Sequence, residues 1–185
     1  MKKILLPLSL LLLFFNQLGA QIDTTGINFS ISGYAEPYYA YDLNQPADGN
    51  RPGFVYAHNR HNEFNVNIAL LKASLSAQRM RGNLALMAGT YANANLSAEP
   101  GTLQNVFEAN AGVKLSKNHD LWVDAGIFGS HIGFESAIGK DCWTLTRSMA
   151  ADNSPYYEAG AKLSYTTPDG KWFFSALALN GWQRI

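Results

Sequence analysis

The chain has 185 residues, of which 47% are hydrophobic and 15% charged, and its 14 basic and 14 acidic side chains give a formal net charge of zero. This balance offers no basic surface for a polyanion, so we expect no nucleic-acid partner. The single cysteine, Cys142, excludes an internal disulfide. Beyond residue 20 no apolar run is long enough to cross a bilayer as a helix, which excludes helical membrane spans there.

The first 20 residues have the features of a secretory signal peptide. Lys2 and Lys3 precede an apolar run, and small residues close the segment at Ala20. We therefore predict cleavage after Ala20 and an exported domain over residues 21–185. Without the two lysines of the signal peptide, 12 basic and 14 acidic side chains remain in that domain.

Seven segments of the exported part show the period-two alternation of strands with unlike faces. In YEAGAKLSY, residues 157–165, the series Tyr, Ala, Ala, Leu, Tyr alternates with Glu, Gly, Lys, Ser. The predicted strands are residues 29–42, 62–77, 82–95, 107–116, 121–129, 157–165 and 171–182. Strands of about ten residues with this pattern are typical of outer-membrane barrels. We therefore predict an all-β fold, an antiparallel transmembrane β-barrel.

Two positions interrupt the alternation. Pro37 lies inside the first predicted strand and has no backbone N–H, which indicates a bulge or an unpaired position there. In the second strand an apolar series that includes Ile68 and Leu70 changes phase, because Lys72 continues the polar series. One inserted bulge residue at Leu70 and Leu71 would restore the register.

The connections between the predicted strands alternate in length. The long ones are residues 43–61, 96–105 and 130–155, and the short ones have the sequences QRMRG, SKNHD and TTPDGK. Outer-membrane barrels have long loops on the cell surface and short turns in the periplasm. We therefore expect the mature N-terminus in the periplasm.

Alternation defines two faces without naming the solvent that each one meets. A soluble exported barrel or sandwich would turn its apolar face inward, whereas a membrane barrel would turn that face to lipid. The membrane barrel is favoured because the long loops share one side, and because Ala-rich apolar faces such as Ala159 and Ala161 would fill a soluble core poorly. Tyr157 and Tyr165 are then expected to mark the two interfacial girdles.

The polar sides of the strands carry charges of both signs, which a barrel would turn to its lumen. The candidate pore-lining residues are Glu36, Glu63, Lys72, Glu108, Lys114, Asp124, Glu158 and Lys162. Such charges orient water and small solutes, or they pair and close a narrow barrel. In the last long loop, Arg147 and Asp152 are predicted either to line a constriction or to hold the loop in place by hydrogen bonds.

Candidate chemistry outside the lumen is weak. His131 and Glu135 are four residues apart, but the surrounding glycines indicate a strand end that enters a loop, so we expect no metal site. His58 and His61 lie among Asn and Arg residues of a loop, and no second cluster completes a site. Ser130, beside His131, lacks the surroundings of a hydrolase nucleophile, and we expect no catalysis.

Three strings are more specific than the strand pattern: GIFGSHIGFES, TRSMAADNSPYYEAGAKLSY and NGWQRI. With them the chain resembles the OmpL-like porin family of Gram-negative outer membranes, also named beta-barrel porin-2, from SGYAEPYYAYD through NGWQRI. The resemblance implies a β-barrel porin without enzyme activity or cofactor. Barrels of that family continue into further hairpins, so we expect this chain to be the N-terminal part of a larger barrel.

We therefore predict an outer-membrane porin that passes small hydrophilic solutes by diffusion through a charged lumen. A structural or adhesive barrel that acts through its outer loops remains open, as does an outer-membrane hydrolase that would need Ser130 or His131. The expected partners are outer-membrane lipid and small hydrophilic solutes, and homo-oligomerisation is left open.

Overall fold

The computed structural model describes residues 26–145 and 147–185, so the predicted signal peptide lies outside the described residues. Seven strands form one antiparallel sheet in chain order, which confirms the all-β prediction. They are β1 (Asn28–Tyr39), β2 (Phe64–Ser76), β3 (Met80–Ala88), β4 (Val106–Lys114), β5 (Asp120–Gly129), β6 (Tyr157–Thr166) and β7 (Phe173–Leu179). Within the described residues β1 and β7 are both edge strands, so the sheet is not closed.

The two faces of the sheet differ in polarity, because successive side chains of a strand point to opposite sides. One side, the apolar face, exposes large hydrophobic side chains, among them Ile31, Leu71, Leu84, Val113 and Leu163. The other side, the polar face, carries Glu36, Lys72, Arg81, Asn83, Glu108, Asn110, Asp124, Lys162 and Ser164. An exposed apolar surface that spans most of a sheet is typical of a face that meets lipid or another apolar partner.

The third strand is shorter than the alternation predicts. It ends at Ala88, and the residues expected to continue it form the helix α1 (Thr90–Asn95). Gly89 stands between the two elements with a φ of 131°, and a Cβ there would lie 2.4 Å from the carbonyl oxygen of Asn67. Only glycine allows this close approach, so the chain leaves the sheet at this point.

The bulge in the second strand lies earlier than the alternation predicts. Glu36 pairs with Ile68 and Pro37 pairs with Val66, so Asn67 is the extra residue. The predicted irregularity at Pro37 is therefore confirmed, whereas the predicted bulge at Leu70 and Leu71 is wrong, since pairing with β1 is continuous there. The earlier bulge turns Ile68, which was expected on the lipid side, into the buried core.

A pair of glycines allows neighbouring strands to approach closely near the loop end of β5 and β6. Gly126 and Gly160 lie directly opposite each other, with φ angles of 122° and 155°. A Cβ on Gly126 would approach the carbonyl oxygen of Ala109 to 2.2 Å. Residues that carry a side chain rarely adopt these positive φ angles, so the backbone of the two strands requires glycine at both positions.

The connections alternate in length as expected. Turns 77–79, 115–119 and 167–172 join the strands at one end of the sheet, and loops 40–63, 89–105 and 130–156 join them at the other. The helix α2 (Met149–Asp152) lies in the last of these loops. Buried hydrophobic residues gather at the loop end, where Ile68, Met87, Tyr91 and Leu96 belong to one cluster. The core therefore lies where the loops pack on the sheet.

Part of the expected lipid surface is buried instead. Tyr157, predicted to mark an interfacial girdle, is only 5% exposed, and its hydroxyl donates to Oε1 of Glu99 at 2.9 Å. Ala159, expected on the lipid side, is also buried in the core cluster. These two predictions are wrong, because Glu99 in the loop that follows α1 reaches Tyr157 and Ala159 packs with the core cluster. No helix of the described residues has the length and apolar character needed to cross a bilayer.

Candidate functional site

An ion pair between Arg81 and Asp124 crosses three strands of the polar face. Arg81 on β3 is opposite Gly112 on β4, and Gly112 is opposite Asp124 on β5. The Arg81 Nε donates to Oδ1 of Asp124 at 2.6 Å, and Nη2 donates to Oδ2 at 2.5 Å. A Cβ on Gly112 would lie 2.1 Å from that Oδ1. The missing side chain on the middle strand therefore makes room for the bidentate pair.

A second pair repeats this arrangement one strand earlier. Lys72 on β2 is opposite Ala85 on β3, which is opposite Glu108 on β4. The Lys72 Nζ lies 2.6 Å from Oε2 of Glu108, and Ala85 below it is fully buried. Strands lie about 4.8 Å apart, so a long basic side chain reaches across one strand only when the residue between is small.

Amide and hydroxyl groups connect the strands between the two ion pairs. Ser74 Oγ donates to Oδ1 of Asn83 at 2.8 Å, and Asn83 Nδ2 donates to Oδ1 of Asn110 at 3.1 Å. Asn110 Nδ2 donates in turn to the carbonyl oxygen of Ile127 at 2.9 Å. This row of side chains, the amide ladder, gives the polar face a continuous hydrogen-bonded surface from β2 to β5.

At the loop end, loop 40–63 supplies partners for two further acids. His58 Nε2 lies 2.8 Å from Oε1 of Glu36, and Asn67 Nδ2 donates to Oε2 of the same carboxylate at 3.3 Å. Glu63 accepts from Nε of Arg60 at 2.7 Å. This bond to Arg60 holds the pKa of Glu63 below its usual range. His58, which the sequence indicated to be incidental, is therefore a buried partner of Glu36.

The polar face contains a cavity of about 320 Å³ between β3 and β7. Its walls are formed by Arg81, Asn83, Glu108, Asn110, Asp120, Trp122, Asp124, Phe128, Lys162, Ser164, Thr166 and Phe173. Arg81 also lies over the indole ring of Trp122, 4.3 Å from its centroid. Asp120 lies 3.4 Å from Nζ of Lys114. The cavity, named the lumen pocket below, is thus lined by paired charges, amides and aromatic rings.

Two of the predicted pore-lining charges have no ion-pair partner among the described residues. The Lys162 Nζ lies 4.9 Å above the ring of Phe128 and forms no ion pair. Glu158 is only 3% exposed and accepts a hydrogen bond from Oγ of Ser130 at 3.3 Å. Both residues lie on β6, four positions apart, and Glu158 is not among the residues that line the lumen pocket.

The loop that joins β5 and β6 crosses the polar face to reach β1. A Cβ on Gly139 would lie 2.9 Å from Oε1 of Glu36, and the Lys140 Nζ lies 5.6 Å from the ring centroid of Tyr34. Ile138 packs against the buried cluster at the loop end. The loop therefore covers one end of the polar face from β5 to β1.

Arg147 and Asp152 meet at one aromatic ring of this loop. The Arg147 guanidinium lies 3.4 Å from the ring centroid of Tyr156, whose hydroxyl donates to Oδ1 of Asp152 at 2.6 Å. Arg147 Nη2 also donates to the carbonyl oxygen of Glu135 at 3.0 Å. Burial lowers the pKa of Arg147 and raises the pKa of Asp152. The contacts fasten the loop to Tyr91 as well, whose hydroxyl accepts from Arg147 Nη1 at 3.4 Å.

Two of the residues considered for catalysis and metal binding, Ser130 and Glu135, have other partners. The Ser130 hydroxyl donates a hydrogen bond to Oε1 of Glu158. Glu135 accepts from the backbone N–H of Ser148 at 2.8 Å. In the described part of the chain no three His, Cys, Asp or Glu residues stand close enough to hold a metal ion.

Comparison with known protein families settles the class of the chain. The profile of the family described as beta-barrel porin-2, OmpL-like, matches residues 28–185. The chain belongs to this family. No curated protein and no solved structure is significantly similar to it. Membership implies a porin-type β-barrel of the outer membrane, and the resemblance stated from the sequence strings is confirmed.

The pore-lining residues predicted from the sequence of this porin-family chain did not include several residues of the polar face. Arg81 was assigned to the turn QRMRG, although it is two positions before Asn83 and therefore shares its face. The spacing of two residues between Arg81 and Asn83 could therefore have been used to predict that Arg81 lies on the polar face. The pairing of Arg81 with Asp124 was not visible, because it depends on the strand register. Trp122 also lines the polar face, and nothing in the local sequence indicated that Arg81 covers its ring.

Proposed function

We propose that the protein is an outer-membrane porin through which small hydrophilic solutes diffuse along a charged lumen. One observation carries the proposal: ionic and amide side chains gather on one face of the sheet, while the other face exposes Ile31, Leu71 and Leu84. In a bilayer the apolar face is stable against lipid, and water along the polar face solvates its charges.

The lumen wall in this proposal consists of the predicted charges together with Arg81. Its members are Glu36, Glu63, Lys72, Arg81, Glu108, Lys114, Asp124, Glu158 and Lys162. Several of them are paired, as in Lys72 with Glu108, so the wall offers polar contacts without a strong net charge. Such a wall admits hydrophilic solutes and selects mainly by size.

The loop that crosses from β5 to β1 would form the constriction. Its contact with Glu36 supports this role, since Glu36 lies on the polar face of β1. Arg147 and Asp152 would then hold the constriction in place through Tyr156. The short turns 77–79, 115–119 and 167–172 would lie in the periplasm, together with the mature N-terminus.

The test is reconstitution of the full-length protein, purified in detergent from outer membranes, into planar bilayers. We expect stepwise conductance increases, and swelling of proteoliposomes in small sugars that slows as the sugar becomes larger. The same protein unfolded by heat before reconstitution is the control. Folded protein that gives neither conductance nor swelling would overturn the proposal.

A second candidate is a non-conducting barrel that acts through its outer loops. It is favoured by the close packing under the loops, where Ile68 is 0% and Tyr91 is 1% exposed. If this packed end closes the lumen, liposomes carrying the protein will not swell in any sugar. The swelling experiment therefore separates the two candidates.

A further inference from the structure

Five charged residues line the lumen pocket, and two of them, Arg81 and Lys162, are basic. Three carboxylates line it, and each has a basic partner. Asp124 is held by Arg81, Glu108 by Lys72 and Asp120 by Lys114, at 2.5, 2.6 and 3.4 Å respectively. Each of these pairs is formally neutral, so none of the three acids offers an uncompensated negative charge to a solute.

Lys162 is the basic residue of the lumen pocket that is not paired with one of these three acids. It lines the same pocket and forms no ion pair among the described residues. Asp124, its register partner on β5, is already engaged at both carboxylate oxygens by Arg81. The ammonium group lies against the ring of Phe128, which holds it by a cation–π contact and leaves its hydrogen-bond donors to the pocket.

We infer that the lumen pocket binds small organic anions with one carboxylate, and that Lys162 is the residue that selects them. This inference rests on the proposed function, because it places the site along the solute path. Lys72 and Lys114 lie outside the lining but compensate Glu108 and Asp120, so the four basic residues exceed the three carboxylates by one positive charge, that of Lys162, which attracts a single negative charge. The hydroxyls of Ser164 and Thr166 supply polar contacts nearby, and the rings of Phe128 and Phe173 offer apolar surface to the organic part of the solute.

The nearest competing acid is buried. Glu158, four residues before Lys162 on β6, lies outside the lining of the pocket and is held by Ser130. Its low exposure keeps it from meeting a solute directly, although its charge still acts at a distance. A pore governed by Glu158 would prefer cations, whereas one governed by Lys162 would prefer anions. The sign of the ion selectivity therefore shows which residue dominates.

The experiment measures ion selectivity and block with the full-length protein in planar bilayers. The chloride-to-potassium permeability ratio follows from the reversal potential in a KCl gradient. We expect Lys162→Met to lower this ratio about fourfold, since one charge a few ångströms from the ion path acts on both ions through screened water. Benzoate should block the wild-type current, and this block should be weaker in Lys162→Met, while neutral benzamide should block neither protein.

Lys171→Met is the matched control, because it removes the same charge from the turn between β6 and β7. The Lys171 side chain is 75% exposed there and lies 3.7 Å from Asp169. Its permeability ratio and benzoate block should equal those of the wild type. Lys162→Gln provides a second lumen variant in case Lys162→Met folds poorly.

The outcomes separate this inference from the proposed function. A wild-type channel that conducts, with the same permeability ratio and benzoate block in both Lys162 variants, overturns the inference and leaves the porin intact. A folded wild-type protein without any conductance overturns the proposed function, and the inference with it.

Discussion

Replacing Arg81 by Met tests how much the ion pair across Gly112 contributes to the stability of the sheet. The Asp124 side chain is only 6% exposed, whereas the Arg81 side chain is 35% exposed. Removing the partner of a buried charge costs about 3–5 kcal/mol, and an exposed pair contributes about 0.2–1 kcal/mol. This pair lies between the two limits, so we expect Arg81→Met to lower the free energy of unfolding by about 2–3 kcal/mol.

The companion variants identify the cause of that loss. Asp124→Asn should cost less, about 1 kcal/mol, because the freed guanidinium of Arg81 reaches water. The double variant should be close to Asp124→Asn alone, since no unpaired carboxylate is then left behind. Urea unfolding of the protein in lipid vesicles, followed by tryptophan fluorescence, measures all three. Strictly additive single losses, or a double variant as unstable as Arg81→Met, would refute the reasoning.

Three further predictions concern the close approach of strands at Gly126 and the loops. Gly126→Val should prevent folding, because the new Cβ would meet the carbonyl oxygen of Ala109; the loss of the heat-modifiable band on gels measures this. Gly129→Val is the control, since that glycine has open space around it. A folded Gly126→Val protein would contradict the prediction. Burial raises the pKa of Asp152, so its contribution to loop stability is complete at acid pH and is lost as the pH rises through the raised pKa. Proteolysis of the loop should therefore quicken towards neutral pH, and Asp152→Asn should flatten that dependence. Arg60→Met should raise the pKa of Glu63 in an NMR titration but leave it below its usual range, because the hydrogen bond from Asn65 remains; an unchanged pKa would show that the bond to Arg60 does not lower it.

The sequence predicted the strands and their faces because both depend on local alternation. Each of the seven strands was predicted near its observed position, and Lys72, Glu108, Asp124 and Lys162 all lie on the polar face. The end of the third strand could not be predicted, because it depends on the close approach of Gly89 to Asn67 on β2, a residue distant in the chain. The position of the bulge in β2 was missed for the same reason, since it is a property of pairing with β1.

The candidate site shows the same division. The charges themselves were visible in the sequence, but which of them are neutralised was not. Arg81 reaches Asp124 only because the register places Gly112 between them, and Lys162 is left over only because Asp124 is already taken.

By itself, the sequence determined that the chain consists of alternating strands with one apolar and one charged side, because a period of two depends only on neighbouring residues. The tertiary structure alone decided which charges compensate each other and where the loop crosses the sheet. Those contacts join residues far apart in the chain, and their geometry is set by strand register, by the bulge at Asn67 and by the glycines that let strands approach.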